Sequence, residues 1–511
     1  MMKTIVSCFL VATLAAAFAE PIEIGTRREL FVDDHMIQQL LGGAELRLHQ
    51  PTPREIAIVH DEEWEGTGCG YHSIFKDGEL YRMYYKAWHI EVSESGVNTK
   101  RHPLFCCYAE SDDGVHWRKP KVGLHEFVGS KENNIVIAGG KIGELNVDAG
   151  HPAVFLDANP NVAEDARYKA IVRSTKPNGL LPFKSADGLN WVPAVDAPIL
   201  HGKGAFDSQN LAFWDPEIGK YRAYWRAFSE GETTDKNWTP GGYRIIRTAV
   251  SDDLVEWTEH ADLTYEDSPA AHLYTNGVQP YHRAPHVLIG LPTRYVDRGE
   301  SEPMTALPDS ESRKLRAAAS PRYGHALTDG QFMASRDGRH FKRWNEAFLR
   351  PGPERPGTWH YGAHYLGWGV VETASDLPGA PNELSVYATE KYWHGDGSAL
   401  RRYTLRLDGF VSASADWKGG QLLTKPLTFE GNRLELNFAT SAGGEVRVEI
   451  QDANGKPVEG FALDDCPPQF GDSVEKTVTW SSGANLAELA GKPVRLLFEL
   501  KDADLYAFRF Q

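Results

Sequence analysis

Three carboxylates stand at corresponding points of a repeated pattern. Asp148 lies in Asn146-Val147-Asp148-Ala149-Gly150-His151, Asp207 opens Phe206-Asp207-Ser208-Gln209-Asn210, and Glu372 follows Trp359-His360-Tyr361. Each sits just before or within an apolar run that reads as a strand. Acids converging from different strands can cleave a glycosidic bond: one carboxyl of raised pKa protonates the leaving oxygen, and a second acts as nucleophile or activates water. Asp207 leads, because polar residues open an otherwise apolar strand there; Asp148 is the second catalytic candidate and Glu372 the acid. The competing reading of each is a loop cap or an arginine partner.

The groups around them are those a sugar needs. Lys86, Arg173 and Arg226 occupy one repeat position, with Arg294 as the fourth counterpart. Gathered at one cavity, such cations favour a sulfated or uronic sugar; otherwise they pair with the acids nearby. Glu65, in the acidic run Asp61-Glu62-Glu63-Trp64-Glu65, joins His151, Gln209, Asn276, Gln279 and His360 as candidate substrate contacts. The alternative for the acidic run is a solvated charged face. No Cys/His spacing reads as a zinc site and no EF-hand loop occurs, so neither metal nor cofactor is expected.

Positioning these residues falls to strands. Helical periodicity is nearly absent, and short alternating runs bounded by Gly, Pro, Asn and Asp recur throughout. A unit Ser-x-Asp-Gly-x-x-aromatic appears at 111–117, 185–191 and 335–341, with the variant Ser251-Asp252-Asp253-Leu254 to Trp257. The copies at 111–117 and 185–191 and the variant at 251–257 follow equivalent strands at 81–86, 168–173 and 221–226, each preceded by another strand ending in an acidic turn. Four strands per repeat predict the blades of an all-β propeller. The fourth copy opens at 273–295 and the fifth at 359–389. The early strand Glu29 to Asp33 is expected to complete the last blade. After Ser412 the alternation becomes cleaner, as in 434–438, 446–450 and 494–500, and predicts a C-terminal β-sandwich. The expected division is a signal at 1–19, a five-bladed propeller at 20–412 and the sandwich at 413–511.

The signal rests on Lys3, the apolar stretch Ile5 to Phe18 and the small-x-small site Ala17-Phe18-Ala19, which predict cleavage after Ala19 and a secreted or periplasmic protein with no membrane insertion thereafter. A net charge of −16 and a pI near 5.6 disfavour nucleic acid and anionic membranes as partners. Fourteen Trp and twenty Tyr suit a carbohydrate ligand, as they also suit large β cores. The mature chain keeps Cys69, Cys106, Cys107 and Cys466, which allow one bridge, such as Cys69 to Cys106 or Cys107.

The repeats resemble those of glycoside hydrolase families 32 and 43, and most resemble exported family 32-like proteins of environmental bacteria. The likeness is carried by Leu30-Phe31-Val32-Asp33-Asp34, Phe206 to Asn210, Tyr274-Thr275-Asn276-Gly277-Val278-Gln279-Pro280-Tyr281 and Leu405-Arg406-Leu407-Asp408-Gly409-Phe410. It implies a five-bladed catalytic propeller followed by a sandwich. The family 32 strings Trp-x-Asn-Asp-Pro, Arg-Asp-Pro and Glu-Cys do not occur, so fructan is not implied as substrate. A sialidase is disfavoured by the shorter Asp-Gly box and by five repeats rather than six. The expectation is a secreted glycoside hydrolase acting on an oligo- or polysaccharide through axial carboxylates; the alternative is a non-catalytic propeller that binds polysaccharide.

Overall fold

The computed structural model describes residues 20–234, 236–395 and 397–511; the expected signal at 1–19 lies outside them. The chain is predominantly β and divides into two compact units.

Among the described residues, the larger unit, residues 30–33 and 46–412, contains five sheets of four or five strands, a three-stranded sheet of His272–Leu273, Thr293–Asp297 and Ala326–Gly330, and the pair Glu91–Ser93 and Gly96–Asn98. The first comprises Gly70–Asp77, Leu80–Ala87, Phe105–Ser111 and Ile135–Ala138, and the second Leu145–Leu156, Tyr168–Lys176, Asn178–Ser185 and Val192–Pro193. The third comprises Leu211–Asp215, Lys220–Thr233, Trp238–Ser251 and Trp257–Asp262. Gln279–Tyr281, Ala284–Gly290, Met333–Ser335 and His340–Arg343 form the fourth, with Thr264–Glu266 added in parallel beside His340–Arg343. In the fifth, Val371–Thr373, Glu383–His394 and Gly397–Arg406 are completed by Thr52–His60, which runs antiparallel to Gly397–Arg406. The completing strand is therefore Thr52–His60 and not Glu29 to Asp33, because the nine-residue run offers a full ladder edge to its partner.

Each Asp-Gly unit is a closed hydrogen-bonded turn. Asp187 accepts the N–H groups of Leu189 and Asn190 at 2.8 Å, Ser185 Oγ accepts that of Gly188 at 2.9 Å, and Trp191 donates to the Gly188 carbonyl at 3.0 Å. The carbonyl of the turn glycine also receives a tyrosine from a neighbouring sheet. Tyr84 reaches Gly188 at 2.9 Å, Tyr224 reaches Gly338 at 2.8 Å, and Tyr387 of the fifth sheet reaches Gly114 of the first. Gly188 and Gly338 have φ of +80° and +79°, and a Cβ there would meet the Tyr84 hydroxyl at 2.5 Å or the Arg222 guanidinium at 2.4 Å. The acidic turns add further links, Tyr168 to Asp77 and Tyr221 to Asp157. Tyr281 of the fourth sheet donates to Asp408, which follows the fifth, at 2.7 Å.

Between Thr293–Asp297 and Ala326–Gly330 the chain inserts three helices, Glu302–Ala306, Ser310–Ala319 and Pro321–His325. Among the described residues these are the only α-helices. Buried Arg313 and Arg316 anchor them by donating to the carbonyls of Trp359 and Trp393.

The smaller unit groups residues 20–29 and 34–45 with 413–511. The sequence reading counted those N-terminal segments with the propeller. They belong here because Ile22–Gly25 pairs in parallel with Leu427–Phe429 and Ile37–Gly42 pairs antiparallel with Gly420–Thr424. Its spine is the antiparallel pair Leu434–Asp452 and Val494–Phe510, in which Val446, Val448, Ile450, Leu496, Phe498 and Leu500 are fully buried while Arg447, Arg495, Leu497 and Glu499 between them are partly exposed. That is the period-2 burial of a sheet with one apolar face. Cys69, Cys106, Cys107 and Cys466 are all buried and unbridged, so the disulfide considered from sequence is not formed.

Candidate functional site

In the first three sheets of the larger unit, the leading strand or the loop before it starts among polar groups, at Tyr71, Asp148 and Asp207. It ends at an apolar cavity of 370 Å³ lined by Phe75, Phe155, Phe213 and Trp368. The starting ends hold the chemistry.

Asp207 lies in the loop before Leu211–Asp215 and makes an ion pair with Arg226, whose side chain is only 4% exposed. Of its side chain, 43% is accessible to solvent. Burial works to raise its pKa, but Arg226, His151 and Arg173 outweigh this and hold it below the usual aspartate value.

Asp148 is 7% exposed. One oxygen accepts the Gly150 N–H at 2.9 Å, the other accepts His151 Nδ1 at 2.8 Å, and Arg173 stands 3.9 Å away. Burial opposes ionisation here too, and His151 and Arg173 overcome it, so this acid also lies below its usual value. Because His151 and Arg173 act on both acids, the two carboxylates share one pair of neighbours. The Nε2 of His151 has no protein partner among the described residues, and the ring borders a 340 Å³ cavity with Lys86, Trp88 and Leu104.

Lys86 is 3% exposed, donates to the Tyr392 hydroxyl at 3.0 Å and lies over Tyr71 and Trp88 at 4.7 and 4.6 Å. Burial pulls its pKa down to about 8, against the opposing pull of Tyr274, Cys69, Asp148 and Asp207. The wall is aromatic: Tyr71, Tyr274, Tyr361, Tyr365 and Tyr392 are buried in one cluster, and Tyr361 donates to Tyr274 at 3.1 Å. Burial raises Tyr71, Tyr361, Tyr365 and Tyr392, whereas at Tyr274 Arg226 and Arg322 overcome burial and set it below an ordinary phenol.

Of the residues chosen from sequence, the structure brings together Asp148, His151, Arg173, Asp207 and Arg226. Gln209 lies beneath them, 2% exposed, its amide donating to the carbonyls of Tyr71 at 2.9 Å and Pro152 at 3.2 Å, so it bolts leading strands together rather than facing a ligand. Asn276 is likewise buried and caps its own turn through the Val278 N–H. Glu65 is fully buried among His60, Tyr85 and Lys119; burial opposes its ionisation, but His60 and Lys119 bring it to about 2. Glu372 pairs with His282 at 2.9 Å and Arg283 at 3.6 Å, and Gln279 and His282 line the apolar cavity, so neither Glu372 nor Gln279 joins the acids. Arg294 is taken by Asp329 on another cavity, and buried His360 bonds the Tyr361 carbonyl.

Lys86 was visible as a repeat position. Tyr71, Tyr365, Tyr392, Arg244 and Arg322 were not, because their positions share no motif. Among the described residues no group of three His, Cys, Asp or Glu side chains could hold a metal ion.

No family model and no curated protein matches the chain. The solved structures it is similar to include family 43 and related glycoside hydrolases. One is described simply as a glycoside hydrolase, with 13% identity, 71% of this chain and 93% of that chain covered, and a TM-score of 0.44. Another is a family 43 arabinoxylan arabinofuranohydrolase from Bacillus subtilis in complex with cellotetraose, with 12% identity, 90% and 99% covered, and a TM-score of 0.41. A third is an N-acetylgalactosamine deacetylase from F. plautii in complex with blood group B trisaccharide, with 11% identity, 71% and 95% covered, and a TM-score of 0.43.

Proposed function

We propose that this chain is an exported glycoside hydrolase whose five consecutive sheets are the blades of a propeller. Its smaller unit is an accessory β-sandwich, whose two long strands shift register between Thr440 and Glu445. The observation that carries the reading is Asp207: a carboxylate kept ionised by Arg226, wetted, and walled by tyrosines. An acid of depressed pKa is a poor proton acceptor but stays anionic at any physiological pH, which suits it to face the anomeric carbon as nucleophile or as counter-charge to an oxocarbenium ion. His151 supplies the proton to the leaving oxygen through its partner-free Nε2, and Asp148 positions the ring from Nδ1. Asp148 is then a positioning residue and not the second reacting carboxylate. Tyrosine faces provide stacking platforms for sugar rings.

The second reading, a propeller that binds polysaccharide without cleaving it, draws on the arginine beside each acid. Product release from a panel of plant and algal polysaccharides separates the two. Release abolished by Asp207→Asn in a folded protein supports hydrolysis; binding without release from any member supports the second reading.

A further inference from the structure

Two guanidinium groups of the site have no carboxylate partner among the described residues. Arg244, on Trp238–Ser251, lies over Tyr295 at 4.6 Å and over Tyr274 and Phe228 at 5.4 Å. Its one side-chain polar contact is with His272 Nδ1 at 3.5 Å, and its buried Nε has no partner. Arg322, carried in by the helical insertion, lies over Tyr323 at 4.8 Å and Tyr361 at 5.6 Å and donates only to the Tyr323 hydroxyl, at 3.3 Å. Arg226 lies over Tyr274 at 4.7 Å, and its Nε is also buried without a partner. Tyr274 is the hub, since Arg226, Arg244 and Arg322 all act on it or stand over its ring.

The local charge is opposite to that of the molecule. Lys86, Arg173, Arg226, Arg244 and Arg322 face Asp148, Asp207 and the exposed Asp297, in a chain whose net charge is −16. Aromatic faces stabilise a guanidinium but leave its in-plane N–H donors unused. Those donors match a planar carboxylate or the oxygens of a sulfate. A neutral sugar would leave the cations desolvated and unmatched.

We propose that Arg226, Arg244 and Arg322, gathered around Tyr274, form an anion subsite that takes the carboxylate of a uronic acid or the sulfate ester of a sulfated sugar. The proposal rests on the glycoside reading for the sugar and on the three arginines for the anion.

Calorimetric titration of the full chain with tetrasaccharides of three kinds tests it: oligogalacturonate, carrageenan-type sulfated galactan, and neutral galactan. At least one anionic form is expected to bind about 10-fold or more tightly than the neutral one, and to lose about 10-fold or more with Arg244→Met or Arg322→Met. Which anionic form binds identifies the source of the charge. Raising salt should weaken that binding several-fold, a readout independent of whether either variant folds. Equal or tighter binding of the neutral form, anion binding that ignores salt and both folded variants, or no binding of either anionic form overturns the subsite. Asp207-dependent cleavage of a neutral glycan alone would sink the subsite and keep the hydrolase. Arginine-dependent anion binding with no cleavage would do the reverse.

Discussion

The second and third sheets carry the same pair, an aspartate and an arginine, at one point of the repeat, and put it to different uses. Asp148 lies inside Leu145–Leu156, opposite Arg173 in the ladder, 7% exposed and occupied by His151 and the Gly150 N–H. Asp207 precedes its strand by four residues, lies in a loop and is 43% exposed. The strand that continues through Asp148 buries it, and the strand that stops short of Asp207 leaves it open. Repeat position fixes which charges meet, and local backbone extension fixes which of them meets a ligand.

The largest expected effect breaks this comparison at its open end. Asp207→Asn should lower hydrolysis by at least about 10³-fold, as loss of a reacting group does. His151→Gln should follow at about 10²-fold or more, because it removes the proton donor. Asp148→Asn acts only through His151 and should lie near 10- to 100-fold, as partners that orient a reacting group do. It should also displace the pH profile, which a purely structural loss would not. Initial rates of the folded variants across pH rank the three. Equal losses for both aspartates would erase the distinction between reacting and positioning acid.

The difference between the two acids was only partly legible in sequence. The Asp-Gly turns were readable because one aspartate and one serine satisfy the turn's own N–H groups, a local arrangement. Lys86, Arg173 and Arg226 were readable as one repeat position. Exposure was not, since Asp148 and Asp207 have similar polar neighbours in sequence and differ in where the ladder begins. Sequence offers Glu65 as a substrate contact or as part of a solvated run, and it is neither: Glu62 and Glu63 are exposed, but Glu65 is buried under Lys119 and Tyr85. Glu372 shared the strand-start signature, yet its side chain meets His282 and Arg283 and not the other acids. Arg322 arrives on a helical insertion anchored by Arg313 and Arg316, a tertiary contact that no periodicity encodes.

A smaller effect tests the cation that both acids share. Lys86 faces Asp148 and Asp207 on one side and Tyr71, Trp88, Tyr274, Tyr392 and Cys69 on the other. Its folded pKa of about 8 lies below the ordinary 10.5, so between these values the unfolded chain binds the extra proton. Its contribution to stability should therefore rise with pH through that window. Urea midpoints at pH 7.5 and 9.5 should differ by less in Lys86→Met than in the unaltered protein, and an unchanged difference would place Lys86 in better-hydrated surroundings than the structure gives it.

The smallest effect concerns the seam between the same two sheets. Elsewhere a tyrosine reaches a turn glycine, as Tyr224 reaches Gly338, but here the strand position carries Ile171 and the turn carries Leu254 at φ +67°. The seam relies instead on Tyr221, which donates to buried Asp157 at 2.6 Å. A hydrogen bond to a charged acceptor contributes about 1.5–3 kcal/mol and one to a carbonyl about 1 kcal/mol. Tyr221→Phe should thus lower the urea midpoint more than Tyr224→Phe, with the circular dichroism of the native state unchanged in both. If the order were reversed, the glycine link would be the stronger tie, and the second and third sheets, which lack it, would be joined mainly by apolar packing.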